Sequence, residues 1–355
     1  MKHKYKIAIV AGGTGGHIFP AISLAEQLIL EKKKVLFLSD NRTKKIFNNY
    51  RRIFSKDDIK FYHLQISRKI KDFFNFFNNL YKIFCIIRKE NPKIVIGFGG
   101  YTSIPFLIIS KILLKPLILH EQNIILGSAN KLFLLFSKKV IFGLGDKNKK
   151  VLNKRFFYIR NPVRKKILIL RRKKFNYNKK KISLLIVGGS QGATIFDNLI
   201  PKTINLLPLS LKRRINIFHQ CSKNNLRVVK KSYREFKINA VCKSFYNNLP
   251  EIMFNSQFVI SRCGASTLSE ILTLGKPCIL IPYKFAKKNH QEKNADWLVK
   301  NGVGVKISEK ELTKDLFRRE LIDFIKNKKK LIKMSNKSFS LGDNKSLIKL
   351  SKLIN

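Results

Sequence analysis

The sequence predicts an α/β protein with two tandem domains, each built on a doubly wound parallel sheet and both facing one cleft. Two similar segments support this prediction. In each segment an apolar run ends in a glycine cluster and opens into an amphipathic helix. The first begins at Lys6 and the second at Ile182, 176 residues later in a chain of 355. Their glycines are 12, 13, 15 and 16 in the first copy, and 188, 189 and 192 in the second.

A strand, a glycine loop and a helix N-terminus together form an anion-binding site. The glycines let backbone N–H groups approach the ligand, and the helix dipole favours negative charge. Two copies at half-chain spacing predict that one domain binds a nucleotide diphosphate and the other binds its reaction partner.

Short apolar strands separated by helices recur through both halves, which is typical of a parallel sheet covered on both faces. In the first half we predict a helix at 72–88 and strands at 35–40 and from Lys93, Pro116 and Lys139. In the second half we predict a helix at 266–274 and strands at 182–187, 215–219, 239–242, 257–261 and 277–281.

The alternation of strands and helices pauses around 160–164, and residues 164–181 are basic without a clear strand. We therefore expect a first domain of residues 1–163 and a second of residues 164–336. A C-terminal helix of about 337–355 is expected to pack back on the first domain.

The composition limits the class of protein. Apolar residues make up 45% of the chain, which indicates a folded protein. The five cysteines form no CxxC pair, so a disulfide scaffold and a zinc site are both disfavoured, and a reducing cytoplasm fits better. The N-terminus does not resemble a signal peptide. No apolar run reaches the roughly 18 to 20 residues that a membrane-spanning helix needs.

The net charge is strongly positive, with 73 Lys and Arg against 21 Asp and Glu, formally +52. One interpretation is a polyanionic partner, either nucleic acid or an anionic membrane surface. The other is a compositional bias toward Lys, Ile, Asn and Phe, which A/T-rich codons encode. The basic residues are spread along the whole chain, which favours the bias.

Three groups of polar residues are candidates for catalysis or ligand binding. His17 directly follows the last glycine of the first loop, where it is either a helix cap or a base at the substrate. Asp40 ends the second predicted strand, so a dinucleotide enzyme is not excluded by this loop alone. His120-Glu121-Gln122-Asn123 follows another strand, and ligands of open α/β sheets bind outside the carboxyl ends of strands.

The segment 261–270 (SRCGASTLSE) is the most specific indication of a ligand-binding site in the sequence. Gly264 follows a strand and the next residues open a helix, so backbone N–H groups can face a ligand. Glu270 lies one turn further, where a carboxylate can accept from two ribose hydroxyls. A second polar cluster, HQ-x-x-NA, follows at 290–295.

Nearly the whole chain resembles the GT-B glycosyltransferases. Within them it resembles the inverting transferases that add N-acetylglucosamine to the lipid-linked muramyl-pentapeptide precursor of peptidoglycan. The supporting motifs are GGTGGHIFPA (12–21), GFGGYTSIP (97–105), HEQN (120–123), NPVR (161–164), GGSQGA (188–193), SRCGASTLSE (261–270) and HQEKNA (290–295).

This resemblance implies two Rossmann-like domains, an acceptor and membrane domain followed by a UDP-sugar domain. The expected partners are UDP-N-acetylglucosamine, the undecaprenyl-linked acceptor (lipid I) and an anionic membrane surface, with no nucleic acid. No cofactor is expected. No metal is expected either, because the chain has no Asp-x-Asp motif. The alternative is a GT-B transferase that uses a UDP-sugar on a different acceptor.

The resemblance also implies roles for individual residues. His17 and Glu121 are candidates for activating the acceptor hydroxyl. The residues expected to bind UDP-N-acetylglucosamine are Thr14, Gly15, Gly16, Asn123, Arg164, Ser190, Tyr246 through its backbone, Ala265, Ser266, Thr267, Leu268, Ser269, Glu270 and Gln291. The chain departs from the family pattern at 65–72, Ile104 and 124–127, all on the acceptor side.

A segment rich in phenylalanine predicts how the chain meets a membrane. Within residues 69–84, an apolar stripe of helical spacing is formed by Phe73, Phe76, Phe77, Leu80 and Phe84, with Phe74 off the stripe. We expect Phe73, Phe74 and Phe77 to contact the cytoplasmic face of the bacterial inner membrane as part of a peripheral protein. The alternative is that the stripe packs in the core.

Overall fold

The computed structural model describes residues 7–13, 15–44, 47, 55, 57–66, 73–146, 154–177, 180–189 and 192–354, with residues 73–75 described by their backbone alone. The chain forms two compact units, each built on one parallel sheet. The first unit contains Met1–Arg164 and Lys345–Asn355, and the second contains Lys165–Asn344. The predicted class, α/β with two doubly wound parallel sheets, is confirmed.

The first unit has a seven-stranded sheet. Its strands are β1 (Ile7–Val10), β2 (Val35–Asp40), β3 (Ile59–Leu64), β4 (Ile94–Gly97), β5 (Leu117–Glu121), β6 (Ser137–Phe142) and β7 (Phe156–Tyr158). Their order across the sheet is β3-β2-β1-β4-β5-β6-β7, with every pair parallel. Its first helices are α1 (Gly15–Leu30), α2 (Phe73–Glu90), α3 (Ile104–Ile112) and α4 (Ser128–Leu132).

Helices cover both faces of this sheet. Ile7 and Ile9 of β1 lie in one apolar cluster with α1, whereas Ala8 and Val10 lie in another with α2 and α3. Every residue of β1, β2 and β5 is buried. A strand buried on both faces needs apolar residues at consecutive positions, and this is why each of these strands begins as a continuous apolar run; β2 and β5 end in buried polar residues.

The second unit has a six-stranded sheet of β8 (Ile182–Val187), β9 (Ile215–Gln220), β10 (Ala240–Lys243), β11 (Phe258–Ser261), β12 (Cys278–Leu280) and β13 (Gly304–Lys306). Its parallel order is β10-β9-β8-β11-β12-β13. Its helices are α5 (Lys165–Arg171), α6 (Thr194–Asn205), α7 (Leu209–Lys212), α8 (Leu226–Glu235), α9 (Leu249–Asn255), α10 (Ala265–Leu274), α11 (His290–Lys300), α12 (Lys314–Lys326) and α13 (Lys328–Leu341).

The strand order reverses beside the first strand of each sheet. β1 pairs with β2 on one side and β4 on the other, and β8 pairs with β9 and β11. Connections leave such a point in opposite directions, so a crevice opens outside the carboxyl ends of the strands. Both glycine loops follow these first strands and therefore begin at the two reversal points.

Three strands were not predicted, and all three are edge strands. They are β3, β7 and β13, in which most residues are only half-buried. An edge strand has a neighbour on one side only, so it tolerates polar residues that interrupt an apolar run. Helix α5 was also missed, because it lies in the basic stretch 164–181.

The chain end returns to the first unit, where α14 (Ser346–Ile354) packs against α1. Leu350 and Ile354 are buried there, and the Ser351 hydroxyl donates to the Glu31 carboxylate (2.5 Å). The predicted helix of about 337–355 is thus divided, since α13 belongs to the second unit and ends before Gly342. A Cβ on Gly342 would lie 2.5 Å from the Leu272 carbonyl oxygen, so the glycine allows a close crossing of α10.

Among the described helices, none is both long and apolar enough to cross a membrane.

We expect Leu350→Ala to destabilise the first unit by about 3 kcal/mol, because it removes a fully buried side chain between α14 and α1. Urea unfolding followed by far-UV circular dichroism should show the loss. The transition reported by Trp297, the single tryptophan, should not move, since that residue lies in the second unit. Ile348→Ala on the same helix is the control, because its side chain is 46% exposed. Equal unfolding midpoints for the two variants would contradict the docking of α14.

Candidate active site

The first glycine loop is fixed by Asp40, the last residue of β2. Its Oδ2 accepts from the Gly13 backbone N–H (2.8 Å) and from the Arg42 guanidinium (2.8 Å), and its Oδ1 accepts from the Arg42 backbone N–H (2.9 Å). A dinucleotide enzyme needs this carboxylate for the ribose. Because Asp40 already binds the loop and Arg42, the geometry does not favour a dinucleotide site here.

His17 lies in the first turn of α1, where the loops after β1, β4 and β5 converge. Its Nδ1 is 2.7 Å from the Gln122 Oε1. On its other edge it faces Gly100, whose backbone has a φ of +79°. A Cβ added to Gly100 would lie 3.5 Å from His17 Nε2, so a side chain at position 100 would contact this edge of the ring. His17 therefore lies at the carboxyl ends of the strands of this unit.

Glu121 is placed differently from the expectation that it activates the acceptor. It is buried, and its carboxylate accepts four hydrogen bonds. Oε1 accepts from the backbone N–H (3.1 Å) and Nδ2 (2.9 Å) of Asn123. Oε2 accepts from the Gly127 N–H (2.8 Å) and Asn130 Nδ2 (2.9 Å). A carboxylate used in this way holds the loop 122–130 against β5, which is a structural role.

The other members of the HEQN motif are also tied into the fold. The His120 ring is fully buried and stacks on Phe98, with 4.7 Å between ring centroids. Burial and the nearby His17 lower the pKa of His120 to about 3, so the ring is neutral at physiological pH. The Gln122 carbonyl accepts from Asn161 Nδ2 (2.9 Å), which connects this motif to NPVR.

The remaining predicted residues of the first unit lie close to the same edge of the sheet. Gly15 and Gly16 open α1, and Asn123 follows β5. The Arg164 guanidinium lies 5.6 Å from the centroid of the Phe19 ring on α1. Thr14, and Ser190 of the second unit, lie outside the described residues.

The second glycine loop packs against the segment after β9. Gly192 has a φ of +76°, and a Cβ on it would lie 2.5 Å from the Ser222 backbone nitrogen. Asp197 of α6 holds that segment, since its Oδ2 accepts from the Ser222 N–H (3.1 Å) and hydroxyl (2.6 Å) and from Asn225 Nδ2 (3.1 Å). The close approach therefore requires glycine at 192.

Asp197 also belongs to a buried group of potential metal ligands. One ligand atom from each of Asp197, His219 and Cys221 lies within 4.8 Å of the others. Burial lowers the pKa of His219 to about 3, and its Nδ1 lies 3.0 Å from the Tyr233 hydroxyl. These hydrogen bonds give the group a structural role behind the glycine loop.

Helix α10 begins directly after β11 with Gly264 as its N-cap. A Cβ added to Gly264 would meet no atom within 4 Å, so the helix N-terminus faces open space. Leu268 is fully buried, and the Ser269 hydroxyl donates to the Ala265 carbonyl (2.8 Å). Leu268 can therefore meet a ligand only through its backbone, whereas Ser266 and Thr267 are half-buried and offer hydroxyls as well as backbone N–H groups. Glu270 lies in the second turn and is 6% exposed.

Gln291 and Asn294 of α11 fix the loops on either side of this N-terminus. Gln291 Oε1 accepts from the backbone N–H groups of Cys263 and Tyr283, both at 3.0 Å. Asn294 Nδ2 donates to the Cys263 carbonyl (3.0 Å). The motif HQ-x-x-NA thus joins the loop after β11 to the loop after β12.

Tyr246 contributes no polar side-chain atom to this surface. Its ring is buried and its hydroxyl donates to the Val241 carbonyl (2.5 Å). A ligand at this position would contact the backbone, as the resemblance implies.

Arg262 is a site residue that the sequence analysis missed. It is buried, and it donates to the carbonyls of Ile281 (3.2 Å) and Pro282 (3.0 Å) and to the Glu309 carboxylate (3.1 Å). Burial opposes ionisation of Glu309, but hydrogen bonds from Arg262 and the Lys284 N–H keep its pKa below the usual value. A charged residue directly after a buried strand was the available signal.

Two parallel-sheet units of this order, each with a glycine loop after its first strand, have the fold of the GT-B glycosyltransferases. The crystal structure of Acinetobacter baumannii MurG is similar to this fold, with a TM-score of 0.78 and 23% identity over 98% of this chain and 99% of that one. The glycotransferase of kitacinnamycin is similar with a TM-score of 0.70 and 14% identity over 99% of both chains.

Sequence comparison then identifies the family. Residues 7–142 match the N-terminal domain of glycosyltransferase family 28, and residues 183–350 match its C-terminal domain. The chain belongs to glycosyltransferase family 28.

Its relatives include proteins named UDP-N-acetylglucosamine–N-acetylmuramyl-(pentapeptide) pyrophosphoryl-undecaprenol N-acetylglucosamine transferase. The protein of that name from Wolbachia sp. subsp. Drosophila simulans is 32% identical over 95% of this chain and 94% of its own length. The one from Rickettsia bellii is 33% identical over 91% of this chain and 92% of its own length.

We expect Glu121→Ala to destabilise the first unit by about 2 to 3 kcal/mol, since it leaves buried donors without their charged acceptor. The control is Asp57→Ala, an exposed carboxylate of the same unit, which should cost no more than about 0.5 kcal/mol. Urea unfolding followed by circular dichroism measures both. A Glu121→Ala protein of parental stability that had lost only activity would instead support a catalytic role.

Proposed function

We propose that this protein transfers N-acetylglucosamine from UDP-N-acetylglucosamine to the 4-hydroxyl of the muramyl sugar in undecaprenyl-pyrophosphoryl-N-acetylmuramyl-pentapeptide, producing lipid II for peptidoglycan. The observation that supports this most is the match, over more than nine-tenths of the chain, to transferases named for that reaction. The geometry of each unit is compatible with one half of the chemistry.

The second unit would bind the donor. The open N-terminus of α10 provides backbone N–H groups of Ala265, Ser266 and Thr267 for a phosphate, and its dipole favours the negative charge. Glu270, one turn further, would accept from the ribose hydroxyls. The backbone at Tyr246 would hold the uracil, and the second glycine loop with Ser190 would contact the diphosphate.

The donor sugar would lie against Gln291. Its Oε1 already joins two backbone N–H groups, so the sugar would be recognised by the amide nitrogen. Arg164 would add positive charge beside the diphosphate. Asn123 would contact the N-acetylglucosamine from the first unit, which also provides Thr14, Gly15 and Gly16 at the glycine loop.

The reaction is a single displacement. His17 Nε2 takes the proton of the acceptor 4-hydroxyl, whose oxygen forms a bond to the anomeric carbon of N-acetylglucosamine. The bond from that carbon to the diphosphate oxygen breaks on the opposite face, so the anomeric configuration inverts and UDP leaves. Charge that builds on the diphosphate is stabilised by the α10 N-terminus and Arg164, so the proposal requires no metal.

A short-chain lipid I analogue tests this function. We expect UDP release from UDP-N-acetylglucosamine that depends on the acceptor, with little release from UDP-N-acetylgalactosamine. His17→Ala should lower turnover by about 10²- to 10⁴-fold, because the proton loses its acceptor. His63→Ala, a histidine of β3, is the control and should keep parental turnover.

If the protein bound UDP-N-acetylglucosamine but the lipid I analogue did not stimulate UDP release, the protein would use a different acceptor. Full turnover by His17→Ala would contradict its assignment as the base.

We also propose that the first unit binds a membrane surface through exposed apolar residues. On α2, Ile83 and Ile87 pack in the core, whereas Phe77 is 53% exposed and Tyr81 is 69% exposed. The predicted apolar stripe of α2 is therefore divided between two environments. Leu80 and Phe84 pack against the core, whereas Phe76 and Phe77 are exposed. The side chains of Phe73 and Phe74 lie outside the described residues.

More exposed apolar residues follow on neighbouring elements of the same unit. Helix α2 packs against α3, which is followed by the exposed Leu114. The Lys111 ammonium of α3 lies 4.9 Å from the centroid of the exposed Phe136 ring. Apolar side chains accompanied by lysines suit the boundary of an anionic bilayer.

We expect Phe77→Ser combined with Tyr81→Ser to weaken binding to vesicles of phosphatidylglycerol and phosphatidylethanolamine at least about tenfold, because apolar area at the interface is lost. Co-sedimentation measures the bound fraction. Leu209→Ser combined with Val228→Ser, two exposed apolar residues of the second unit, is the matched control. Unchanged binding by the Phe77 and Tyr81 variant would contradict this membrane surface.

A further inference from the structure

A buried glutamine side chain lies between two histidines in the first unit. Gln122 is 2% exposed. Its Oε1 is 2.7 Å from His17 Nδ1. Its Nε2 is 3.1 Å from His120 Nδ1 and 3.1 Å from the His120 carbonyl oxygen. The amide therefore joins the candidate base to a ring that is fully buried.

The orientation of the Gln122 amide follows from one of these contacts. A backbone carbonyl oxygen can only accept a hydrogen bond. The amide atom that faces the His120 carbonyl must therefore be the NH₂ group. Its oxygen then faces His17, and the usual ambiguity between the two amide atoms is removed.

The proton of His17 follows in turn. An amide oxygen can only accept, so at 2.7 Å the His17 Nδ1 must be the donor. The hydrogen bond made by one imidazole nitrogen decides where a neutral ring holds its proton. We infer that Gln122 is a positioning residue that keeps the His17 proton on Nδ1 and so leaves the lone pair on Nε2 for the acceptor hydroxyl. The use of that lone pair rests on the proposed function.

The surroundings keep the amide in this position. The backbone carbonyl of Gln122 accepts from Asn161 Nδ2 (2.9 Å). The next residue, Asn123, donates to the Glu121 carboxylate, and Asn130 Nδ2 donates to the His120 carbonyl (3.3 Å). The second amide hydrogen of Gln122 can donate to His120 Nδ1, because burial keeps that ring neutral. If the amide turned to present its NH₂ group to His17, its oxygen would face the His120 carbonyl oxygen, and both hydrogen bonds to His120 would be lost.

With the proton on Nδ1, the Nε2 edge of His17 is the basic one. Gly100 faces this edge, and a Cβ there would lie 3.5 Å from Nε2. A ring held in the other tautomer would present an N–H at this edge and could not accept a proton. The same ring position can thus be active or inactive depending on Gln122.

Nitrogen-15 NMR of the whole protein tests this inference without relying on turnover. Histidine labelled at both ring nitrogens gives two-bond correlation spectra that distinguish the two neutral tautomers, and His17→Gln identifies the His17 signals. In the parent, neutral His17 should hold its proton on Nδ1. Gln122→Met removes the acceptor and should shift His17 toward the Nε2–H form.

Turnover with the lipid I analogue gives a second readout. Gln122→Met should lower kcat at least about tenfold with little change in KM for UDP-N-acetylglucosamine, because fewer molecules present a basic Nε2. Gln27→Met is the matched control. It removes an amide of α1 that donates to Glu31 (2.8 Å) and does not contact His17. It should leave both the tautomer and kcat unchanged.

Two results would overturn the inference: a parent His17 with its proton on Nε2, or a Gln122→Met protein that is folded and keeps the Nδ1–H tautomer. A tautomer that follows Gln122 while kcat stays constant would support the position of the proton. It would contradict the assignment of His17 as the base, so the two failures are distinguishable.

Discussion

The arrangement of residues around His17 depends on one buried carboxylate. Glu121 ends β5, and its four hydrogen bonds close the loop that follows. A buried carboxylate is stable only when it is so well paired. Because the loop is closed, the residues on either side of Glu121 are held in fixed positions, and Gln122 can meet His17. The chemistry proposed for His17 therefore rests on a residue whose carboxylate is hydrogen-bonded to the loop that follows it.

In the second unit, other buried charged residues hold the loops at the carboxyl ends of the strands. Asp197 holds the segment against which Gly192 packs, and Arg262 joins the loop after β12 to Glu309. In both units a charged side chain is satisfied by backbone groups at the carboxyl ends of the strands. In the second unit the buried charge of Asp197 fixes the segment against which the glycine loop packs.

The sequence was informative where a single physical requirement dominates. Strands such as β1 and β8 are buried on both faces and so are continuous apolar runs, which made the fold class predictable. Edge strands such as β3 are only half-buried and tolerate polar residues, so their sequences lack a continuous apolar run and they were not predicted. The motif residues could be placed next to predicted strands, but the hydrogen bonds between them join distant segments. The contact of Gln122 with His17 spans 105 positions and has no local signature.

The most direct test of the proposed transfer reaction is the structure of its product. The protein, UDP-N-acetylglucosamine and a lipid I analogue would be incubated together, and the product would be examined by mass spectrometry and by the coupling constant of its new anomeric proton. For the proposed inverting transfer we predict an acceptor heavier by one N-acetylglucosamine residue, joined in the β configuration. Free N-acetylglucosamine with an unchanged acceptor, or an α-linked product, would contradict it.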